Sequence, residues 1–587
     1  MAGVTQTSFD VVRAEHSVYQ ATAAVLAPIA PQAFATVAPY LRQLVHGLDE
    51  GHTCLSLAPW QAQALGNAMP LVSTTPEVVA PLLLWRQRLS FMRQWQEEAE
   101  LAQRLLALSQ QPALEFHPAE AQLVLTALFG ADNHDRQKQA AALSLLQAFL
   151  LISGGPGTGK TTTVAKIVAT LLLVLKQKIS IALAAPTGKA AAHMAAAFQK
   201  AFTSLQGRLD WVMQDELLSF VPLVEGLQGQ TLHRLLKLNP LTQQARYHQD
   251  QPLPYDLIIV DEASMIDSGM MRQLLAATAP NSRLILLGDK DQLPSVGAGA
   301  VVQTLFRPTA LSATTAAQLN AYLPKHGIPS VADPGLAQCV LALTHSHRFD
   351  AQSGIGALAR AVNEAPDDVA DILNDFPEQL RLLPQTAALY PDLYQAQAQY
   401  WQAIQANDVS QAFIHQQDVI VLSALKDDAL RFNETYEGYL AKRGHRQAQE
   451  VFYPGKVIMI SANDYPLNLF NGDIGIVLLD EAGTLKVYFP SAEGFRALPL
   501  SMLPEHESAF AFTVHKSQGS EYQAVWLLPP SYSIDEQDQA YALMNRALVY
   551  TAITRARTTF GFVGEPSALV AAARQVAERD SLLPLLL

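Results

Sequence analysis

An α/β architecture built on parallel strands is the fold class that this sequence of 587 residues predicts. Three apolar runs, residues 148–152, 180–185 and 257–260, have the composition and length of buried strands. A glycine-rich loop and a helical stretch at 164–175 follow the first run, and polar or acidic residues follow the other two. Strand, polar turn and helix in succession are typical of α/β sheets, which bind ligands at the carboxyl ends of their strands.

Composition limits the class of protein before any motif is considered. The chain is 49% hydrophobic and long enough for three or four domains with sizeable cores. It has no apolar run of 18 residues, and acidic and basic residues precede any apolar stretch at the N-terminus, so we expect neither a membrane span nor a signal peptide. Its two distant cysteines exclude a disulfide framework and fit the cytoplasm. The net charge of −13 argues mildly against nucleic-acid binding over the whole surface, but it does not exclude a local basic channel.

The strongest single motif is Gly154-x-x-x-x-Gly159-Lys160-Thr161 between the first strand and its helix. Backbone N–H groups of such a loop and the helix N-terminus close around a polyphosphate. Lys160 can reach the β- and γ-phosphates, and the Thr161 hydroxyl can bind Mg²⁺. A glycine-rich turn that binds nothing is the alternative, and the agreement of spacing and flanks disfavours it. The predicted nucleotide-binding residues of the loop are Gly154, Gly155, Pro156, Gly157, Thr158, Gly159, Lys160, Thr161 and Thr162.

Two carboxylates, Asp261 and Glu262, stand at the end of the strand at residues 257–260. In a parallel sheet they would lie beside the phosphate loop, where Asp261 would hold Mg²⁺ and Glu262 would polarise the attacking water. The alternative is that they only cap the next helix. The sequence thus predicts ATP and Mg²⁺ as substrate and cofactor.

Further polar residues follow strands or begin helices. The Gln137 amide could bind an adenine edge or could be a solvated helix residue. Gln292, after an apolar run at 283–287, could sense a γ-phosphate or belong to a polar loop. Arg555 could complete a nucleotide site from another domain. Thr187 follows the strand at 180–185, where open parallel sheets bind ligands. Candidate contacts with a nucleic-acid backbone are His233, which could instead lie on a helix face, and Thr513, His515, Lys516 and Ser520.

The remaining chain predicts the domain order. Residues 1–118 carry helical periodicity, including one long helix at 85–108, and predict a helical domain that docks a partner. A first ATPase domain is expected at 119–340, with a possible hairpin at 237–256 and a surface linker at 308–337. A second α/β unit is expected at 341–587, and short β runs with Asn471-Gly472 between them predict a small β-barrel inserted at about 432–504.

With these motifs in this order, the chain resembles superfamily 1 DNA helicases, and among them the alpha subunits of exodeoxyribonuclease V. The resemblance covers about 137–557. It depends on Arg136-Gln-Lys138, the phosphate loop, Ala185-Pro-Thr-Gly-Lys189, Thr231-Leu-His-Arg234, Val260-Asp-Glu-Ala-Ser264, Gly288-Asp-Lys-Asp-Gln292, His347-Arg-Phe349, Val514-His-Lys-Ser-Gln-Gly519 and Thr551-Ala-Ile-Thr-Arg-Ala-Arg557. Arg136 departs from the family, which often has an aromatic residue there.

The resemblance implies two RecA-like parallel-sheet motor domains with ATP in the cleft between them and an SH3-like insert. It implies that Gln137 reads adenine, that Gln292 senses the γ-phosphate and that Arg348 and Arg555 come from the second domain. It implies that Thr187 contacts single-stranded DNA. It also implies 5′→3′ movement on single-stranded DNA at double-stranded ends, and assembly with RecB-like beta and RecC-like gamma subunits, the nuclease belonging to the beta subunit. Two alternatives stay open: a stand-alone DNA or RNA helicase, and a structural subunit that binds nucleotide but does little work.

Overall fold

The computed structural model of the chain describes residues 6–205, 209, 211–346, 353–447, 449–464, 466–491, 494–531 and 544–587. Contacts divide the chain into two compact units. Unit 1 holds Met1–Lys290, Pro294–His345 and Glu578–Leu587, and unit 2 holds Asp291–Leu293 and Ser346–Ala577. The C-terminal tail therefore belongs with the first unit, although the expected second domain ran to residue 587. The functional division at 340/341 stays a prediction.

The N-terminal part of unit 1 is mixed, which corrects the prediction of a helical domain. Four short strands form a sheet in the order β1-β4-β3-β2. The apolar run at 82–85 pairs with residues 88–91 as an antiparallel hairpin, so the long helix begins at Met92 and not at residue 85. A short apolar run suits a buried strand as well as a helix, and periodicity alone cannot separate the two. The elements are α1 (Gln6–Ile29), α2 (Pro31–Asp49), β1 (Leu55–Ser56), α3 (Pro59–Leu65), β2 (Val72–Ser73), β3 (Leu82–Trp85), β4 (Arg88–Phe91) and α4 (Met92–Ser109).

The centre of unit 1 is a parallel sheet of six strands in the order β10-β5-β9-β8-β6-β7. Successive side chains of β5 enter opposite cores, Leu150 and Ile152 on one face and Phe149 and Leu151 on the other, so helices cover both faces. The elements are α5 (Pro118–Phe129), α6 (Arg136–Leu146), β5 (Phe149–Gly154), α7 (Lys160–Leu175), β6 (Ile181–Ala185), α8 (Gly188–Thr203), α9 (Trp211–Glu225), β7 (Gly229–Thr231), α10 (Leu232–Leu235), β8 (Leu257–Val260), α11 (Ser268–Ala277), β9 (Arg283–Gly288), α12 (Val301–Leu305), α13 (Ala313–Asn320) and β10 (Val340–Leu343).

Two connecting segments of unit 1 differ from the predictions. Instead of a hairpin, residues 237–256 form turns with a single antiparallel bridge between His248 and Gln251. Residues 308–337 are not a surface linker, because they contain α13 and bury Leu319 and Tyr322 in the core beside α6 and α7. The Tyr322 hydroxyl also donates to the Ala142 carbonyl at 2.9 Å. The mixed Ala, Thr and Pro composition of this segment has no clear apolar periodicity, so its buried face could be identified only from its packing against the helices that cover the sheet.

Unit 2 contains a second parallel sheet of five strands, in the order β11-β20-β19-β12-β18. The three strands predicted at 419–422, 524–528 and 559–563 lie next to one another in it. The elements outside the insert are α14 (Gly354–Glu364), α15 (Val369–Asp375), β11 (Leu380–Leu383), α16 (Thr386–Ala396), α17 (Ala398–Gln405), α18 (Val409–Gln416), β12 (Val419–Ser423), α19 (Lys426–Lys442), β18 (Ala511–Thr513), β19 (Tyr522–Leu528), α20 (Arg546–Ile553), β20 (Ala556–Val563) and α21 (Pro566–Arg574). The last helix, α22 (Leu583–Leu586), belongs to unit 1.

The insert of unit 2 is an antiparallel sheet in the order β16-β15-β14-β13-β17. It begins later and ends later than the predicted 432–504, because Phe432 lies within helix α19 and the last strand runs to Ser508. Its SH3-like class stays a prediction. The strands are β13 (Val457–Ile460), β14 (Ile474–Leu479), β15 (Leu485–Ser491), β16 (Gly494–Pro499) and β17 (His506–Ser508). A search of the described residues for a helix long and apolar enough to cross a bilayer finds none.

Candidate functional site

The phosphate loop joins strand β5 to helix α7 through two glycines with left-handed backbone angles. Gly157 has φ of 78° and Gly159 has φ of 80°, which side-chain-bearing residues rarely adopt. Gly159 is the N-cap, so the unpaired N–H groups of the first helical turn begin directly after it. A Cβ at Gly154 would lie 2.5 Å from Thr158 Oγ1, whose hydroxyl donates to the Gly155 carbonyl at 2.8 Å. Glycine at these places therefore allows a compact loop with backbone donors at a helix N-terminus, which suits a polyphosphate.

The Lys160 ammonium lies against this loop. Its Nζ donates to the Gly154 carbonyl at 2.6 Å and is 3.4 Å from the Gly155 carbonyl. Lys160 also interacts electrostatically with Asp261, the residue after strand β8. Two strands that flank β9 thus bring a cation and a carboxylate together, as the spacing predicted.

Hydrogen bonds fix the position of Asp261, and its surroundings change the pKa of its carboxyl group. Its N–H donates to the Ala184 carbonyl at 2.9 Å, and its carboxylate accepts the Glu262 N–H at 2.8 Å. Burial raises the pKa of Asp261 above its usual range, while Lys160 and the Glu262 N–H oppose that rise. A second cation beside this carboxylate would favour its charged form.

Glu262 has a left-handed backbone, with φ of 51° and ψ of 39°. This conformation is uncommon outside glycine and is stable only where neighbouring structure enforces it. Strain of this kind clusters at functional sites. The preceding strand β8 is buried throughout, and the Met265 N–H donates to the Glu262 carbonyl at 3.0 Å, so the turn is fixed from both sides.

Gln137 lies near the same loop, in the first turn of α6. Its N–H donates to the N-cap Asp135 at 2.9 Å, and its Nε2 donates to the Thr158 carbonyl at 3.3 Å. Its neighbour Lys138, which the motif includes, is buried and donates to the Gly130 carbonyl at 2.7 Å and to Asn133 Oδ1 at 2.8 Å. Lys138 therefore holds the segment that precedes α6, whereas the Gln137 amide lies beside the phosphate loop.

Thr161 and Asp261 were predicted to hold Mg²⁺, and the donor set fits. Thr161 is half-buried in the first turn of α7, one residue from Lys160, and Asp261 is near Lys160 in charge contact. A hydroxyl and a carboxylate are oxygen ligands of the kind that Mg²⁺ takes, with the remaining positions left to phosphate oxygens and water. Within the described ranges, no group of three His, Cys, Asp or Glu residues could hold a metal by itself.

Gln292 and Arg555 both belong to unit 2. Gln292 is 3% exposed, and the next residue, Leu293, accepts from Gln518 Nε2 at 3.1 Å and donates to Thr551 Oγ1 at 2.9 Å. Arg555 is also 3% exposed. The third predicted residue of this group, Arg348, lies outside the described residues.

The guanidinium of Arg555 is bound within its own unit. Its Nη1 donates to the Ser520 carbonyl at 3.2 Å, and its Nε donates to the Thr551 carbonyl at 3.3 Å. The Arg555 carbonyl in turn accepts the Tyr522 N–H at 2.9 Å. Arg555 thus connects its own motif segment to the segment after β18, a structural role that the sequence did not indicate.

The candidate nucleic-acid residues of unit 1 lie on two neighbouring strand ends. Strands β6 and β7 are paired at Ala185 and Thr231, and Thr187 and His233 each follow two residues later. The Thr187 hydroxyl accepts the Ala190 N–H at 3.2 Å as the N-cap of α8. Partial desolvation lowers the pKa of His233, and Asp267 opposes that change. The fold therefore brings together two residues that are 46 positions apart in sequence.

The candidate residues of unit 2 follow strand β18. Thr513, His515 and Lys516 are half-buried, whereas Ser520 is 6% exposed. The Lys516 ammonium lies 2.5 Å from Glu507 Oε1. Thr513, His515 and Lys516 are therefore partly open to solvent, whereas Ser520 is buried and its carbonyl accepts a hydrogen bond from Arg555.

Two family models and several known proteins match this chain. The family described as "AAA domain" matches residues 137–298, and the "UvrD-like helicase C-terminal domain" matches residues 508–563. "RecBCD enzyme subunit RecD" of Haemophilus influenzae is 32% identical over 566 residues, which are 91% of this chain and 85% of that protein. The protein of the same name from Mycobacterium tuberculosis is 33% identical over 544 residues, covering 89% and 83%.

A relative with another name matches over less of its length. The "ATP-dependent RecD2 DNA helicase" of Deinococcus radiodurans is 30% identical over 456 residues, which are 76% of this chain and 52% of that protein. Among solved structures, a Pif1 helicase from Candida albicans aligns with 74% of this chain and 96% of its own, at 15% identity and a TM-score of 0.38.

Proposed function

The chain belongs to the RecD family of RecBCD enzyme subunits, and from that premise we propose how its residues work and what they act on. It is an ATP-dependent DNA helicase subunit of the RecBCD enzyme, exodeoxyribonuclease V. We propose that it moves 5′→3′ along single-stranded DNA from double-strand break ends, in the cytoplasm, assembled with RecB-like beta and RecC-like gamma subunits. The alternative of a stand-alone helicase is disfavoured, because the RecD relatives match 91% and 89% of this chain at 32% and 33% identity, whereas RecD2 matches 76% of it at 30% identity.

The observation that carries the proposed mechanism is the position of Lys160, whose Nζ donates to the Gly154 carbonyl of the glycine loop at 2.6 Å and which interacts electrostatically with Asp261. Loop N–H groups and Lys160 bind the β- and γ-phosphates of ATP. Thr161 and Asp261 would hold Mg²⁺, which supplies neutralisation of phosphate charge. Glu262, at its strained backbone position, orients the attacking water and accepts its proton.

The other predicted residues have supporting roles in this proposal. Gln137 binds the adenine edge from its place beside the loop. Gln292 senses the γ-phosphate, and Arg348 and Arg555 stabilise charge in the transition state. Thr187 and His233 in unit 1, and Thr513, His515 and Lys516 in unit 2, contact the DNA strand. A chain with a net charge of −13 must bind DNA through such local contacts.

The direct test is Lys160→Gln, with Lys176→Gln as the matched control. Both lysines lie on or directly after α7, but Lys176 is at the far end and pairs with Glu120 at 2.8 Å. We expect Lys160→Gln to remove ATP hydrolysis and unwinding while thermal unfolding stays unchanged, and Lys176→Gln to retain both activities. DNA-stimulated turnover above about a tenth of wild type in Lys160→Gln would contradict the proposed site, since loss of such a contact costs far more than tenfold.

A further inference from the structure

Two lysines of unit 2 occupy equivalent places on neighbouring parallel strands. Strands β12 and β18 are paired in register up to Ser423 and Thr513. Lys426 follows the first three residues later, and Lys516 follows the second three residues later. In each turn the strand-end hydroxyl accepts a following N–H, from Leu425 at 3.3 Å and from Lys516 at 3.4 Å. The carboxyl end of this strand pair therefore carries two hydroxyl–lysine turns side by side.

One carboxylate bridges the two ammonium groups. Glu507 Oε1 lies 2.5 Å from Lys516 Nζ, and Glu507 Oε2 lies 3.7 Å from Lys426 Nζ. Glu507 belongs to β17, the last strand of the insert, where it pairs with Met459 of β13. The insert thus places a single anion on a cationic pair that belongs to the motor sheet.

The exposed fractions show that this bridge is accessible to a ligand. The side chains are 14% exposed for Glu507, 22% for Lys516 and 59% for Lys426. A buried ion pair would resist exchange, but a pair open to water on the side of Lys426 can exchange its anion at small cost. A phosphodiester also presents two anionic oxygens to lysines, so it matches the group that Glu507 supplies.

We propose that Lys426 and Lys516 form one binding site for a backbone phosphate of single-stranded DNA, and that Glu507 competes with that phosphate. This inference rests on the proposed DNA contact of Lys516 and adds Lys426 and a competing carboxylate to it. Each phosphate that enters must displace Glu507, and Glu507 helps it to leave. A translocating enzyme needs such moderate affinity because every bound phosphate has to be released in the next step.

The test is Glu507→Gln in the full chain, with Asp480→Asn as the control. Asp480 is another carboxylate of the insert and pairs with Lys486 at 2.8 Å, so both changes remove one negative charge and one ion pair. The probe is a fluorescent oligothymidylate, and its Kd is measured by anisotropy across a salt series. The glutamine amide can still accept from Lys516, and thermal unfolding checks that each variant folds.

We expect Glu507→Gln to bind the oligonucleotide about three- to fivefold more tightly than wild type at low salt, the upper part of the range of an exposed ion pair. Its salt dependence should be steeper, because freed lysines release about 0.7 counterions for each single-strand phosphate that they neutralise. Asp480→Asn should leave the Kd within about twofold of wild type. The gain should vanish in the triple variant that also carries Lys426→Gln and Lys516→Gln.

Several results would overturn the inference. Equal or weaker binding by Glu507→Gln would mean that Glu507 only positions Lys516. An equal gain in Asp480→Asn, or a gain that survives without the lysines, would assign the effect to overall charge. If DNA stimulates ATP hydrolysis by wild type but the variants give one of the results above, the inference about Glu507 is wrong and the proposed function is unaffected. If wild type neither binds DNA nor is stimulated by it, the proposed function fails and this inference with it.

Discussion

At the scale of single residues, Arg555 has an observed structural role beside the role in the reaction that we propose for it. Its guanidinium has five N–H donors, and the Ser520 and Thr551 carbonyls accept two of its hydrogen bonds. These carbonyls belong to the segment after β18 and to helix α20. Arg555 therefore holds two motif segments in place, and in the proposed mechanism its remaining donors bind phosphate oxygens.

We expect Arg555→Ala to keep nucleotide binding within about tenfold of wild type, because Lys160 and the loop amides are unchanged, and to lower turnover by at least about a hundredfold. Loss of the two carbonyl contacts should also reduce the free energy of unfolding by about 1–3 kcal/mol. Turnover at saturating single-stranded DNA, nucleotide binding and thermal unfolding measure the three effects.

The variant Arg555→Lys separates the two roles, since lysine keeps the charge but loses the planar fork. Near-normal hydrolysis by Arg555→Ala would remove Arg555 from the reaction and make Arg348 the better candidate. If Arg555→Ala unfolds at the assay temperature, Arg555→Lys becomes the decisive variant. We expect Arg555→Lys to be as stable as wild type and to hydrolyse ATP more slowly.

At the scale of elements, the C-terminal tail at 578–587 is packed between the N-terminal segments and the loop after Leu293. Arg579 donates to the Ser295 carbonyl at 2.8 Å and to the Gly297 carbonyl at 3.2 Å. Leu582 and Leu583 are buried, and each such side chain contributes about 1.5–3 kcal/mol of burial. The tail therefore stabilises a loop of unit 1.

Glu98 of helix α4 is the buried acceptor that holds this tail. Its carboxylate accepts the Ser581 hydroxyl at 2.6 Å, the Leu582 N–H at 2.8 Å and the Thr53 hydroxyl at 3.0 Å. Burial nevertheless raises the pKa of Glu98 above its ordinary value of 4.5, because the hydrogen bonds offset desolvation only in part.

The raised pKa predicts a pH dependence of stability. Above pH 4.5 the unfolded chain releases the Glu98 proton more readily than the folded chain does. The stability that Glu98 contributes is therefore fully present below pH 4.5, and it is lost as the pH rises through the pKa of Glu98 in the folded chain. The free energy of unfolding of wild type relative to Glu98→Gln should decrease over this range, with a slope of at most about 1.4 kcal/mol per pH unit. Thermal unfolding from pH 4.5 to about 8 measures it.

The control for this measurement is Glu97→Gln on the same helix, where the carboxylate makes an ion pair with the exposed Arg93 at 2.9 Å. Its stability relative to wild type should not follow the Glu98 trend. A relative stability of wild type over Glu98→Gln that increases with pH in this range would contradict a raised pKa.

At the scale of the whole molecule, the N-terminal region divides between two cores. Residues of α2, α3 and the four-stranded sheet form a separate core that includes Leu41, Leu65 and Leu82. Helix α4 instead packs Leu101 and Leu105 against the strands of the first motor sheet. Removing residues 1–110 would therefore damage the ATPase core, and surface substitutions are the cleaner test of partner docking.

Trp60 and Val79 are large apolar side chains of the N-terminal core region that are 68% and 91% exposed. If this region docks the beta and gamma subunits, Trp60→Glu combined with Val79→Asp should weaken retention in co-purification by at least about 30-fold, the cost of one interface hot spot of about 2 kcal/mol. Hydrolysis by the isolated chain should be unchanged.

Leu241→Asp is the matched control for docking, because Leu241 is 94% exposed and lies in unit 1 outside the N-terminal region. It should co-purify as wild type does. Normal assembly of the doubly substituted chain would place the docking surface elsewhere.

The sequence by itself determined the parts of this protein whose chemistry is local. A phosphate loop needs glycine, lysine and threonine at fixed spacing between a strand and a helix, so adjacent residues were sufficient to predict Lys160 and its setting. The carboxylates after β8 were equally predictable, because parallel strands place their carboxyl ends at one edge. The order of the motifs was sufficient to predict the family, because the segments between motifs can vary while the order of the motifs stays the same.

Only the tertiary structure decided what depends on contacts between distant segments. The run at 82–85 is a strand because residues 88–91 pair with it, and residues 308–337 pack on the core because distant helices cover them. Lys426, Glu507 and Lys516 span 91 positions of sequence and meet because β17 ends beside the turns that follow β12 and β18. Spacing along a chain reports neighbours on one element, but pairing between strands and burial of a charge are set by partners far away in sequence.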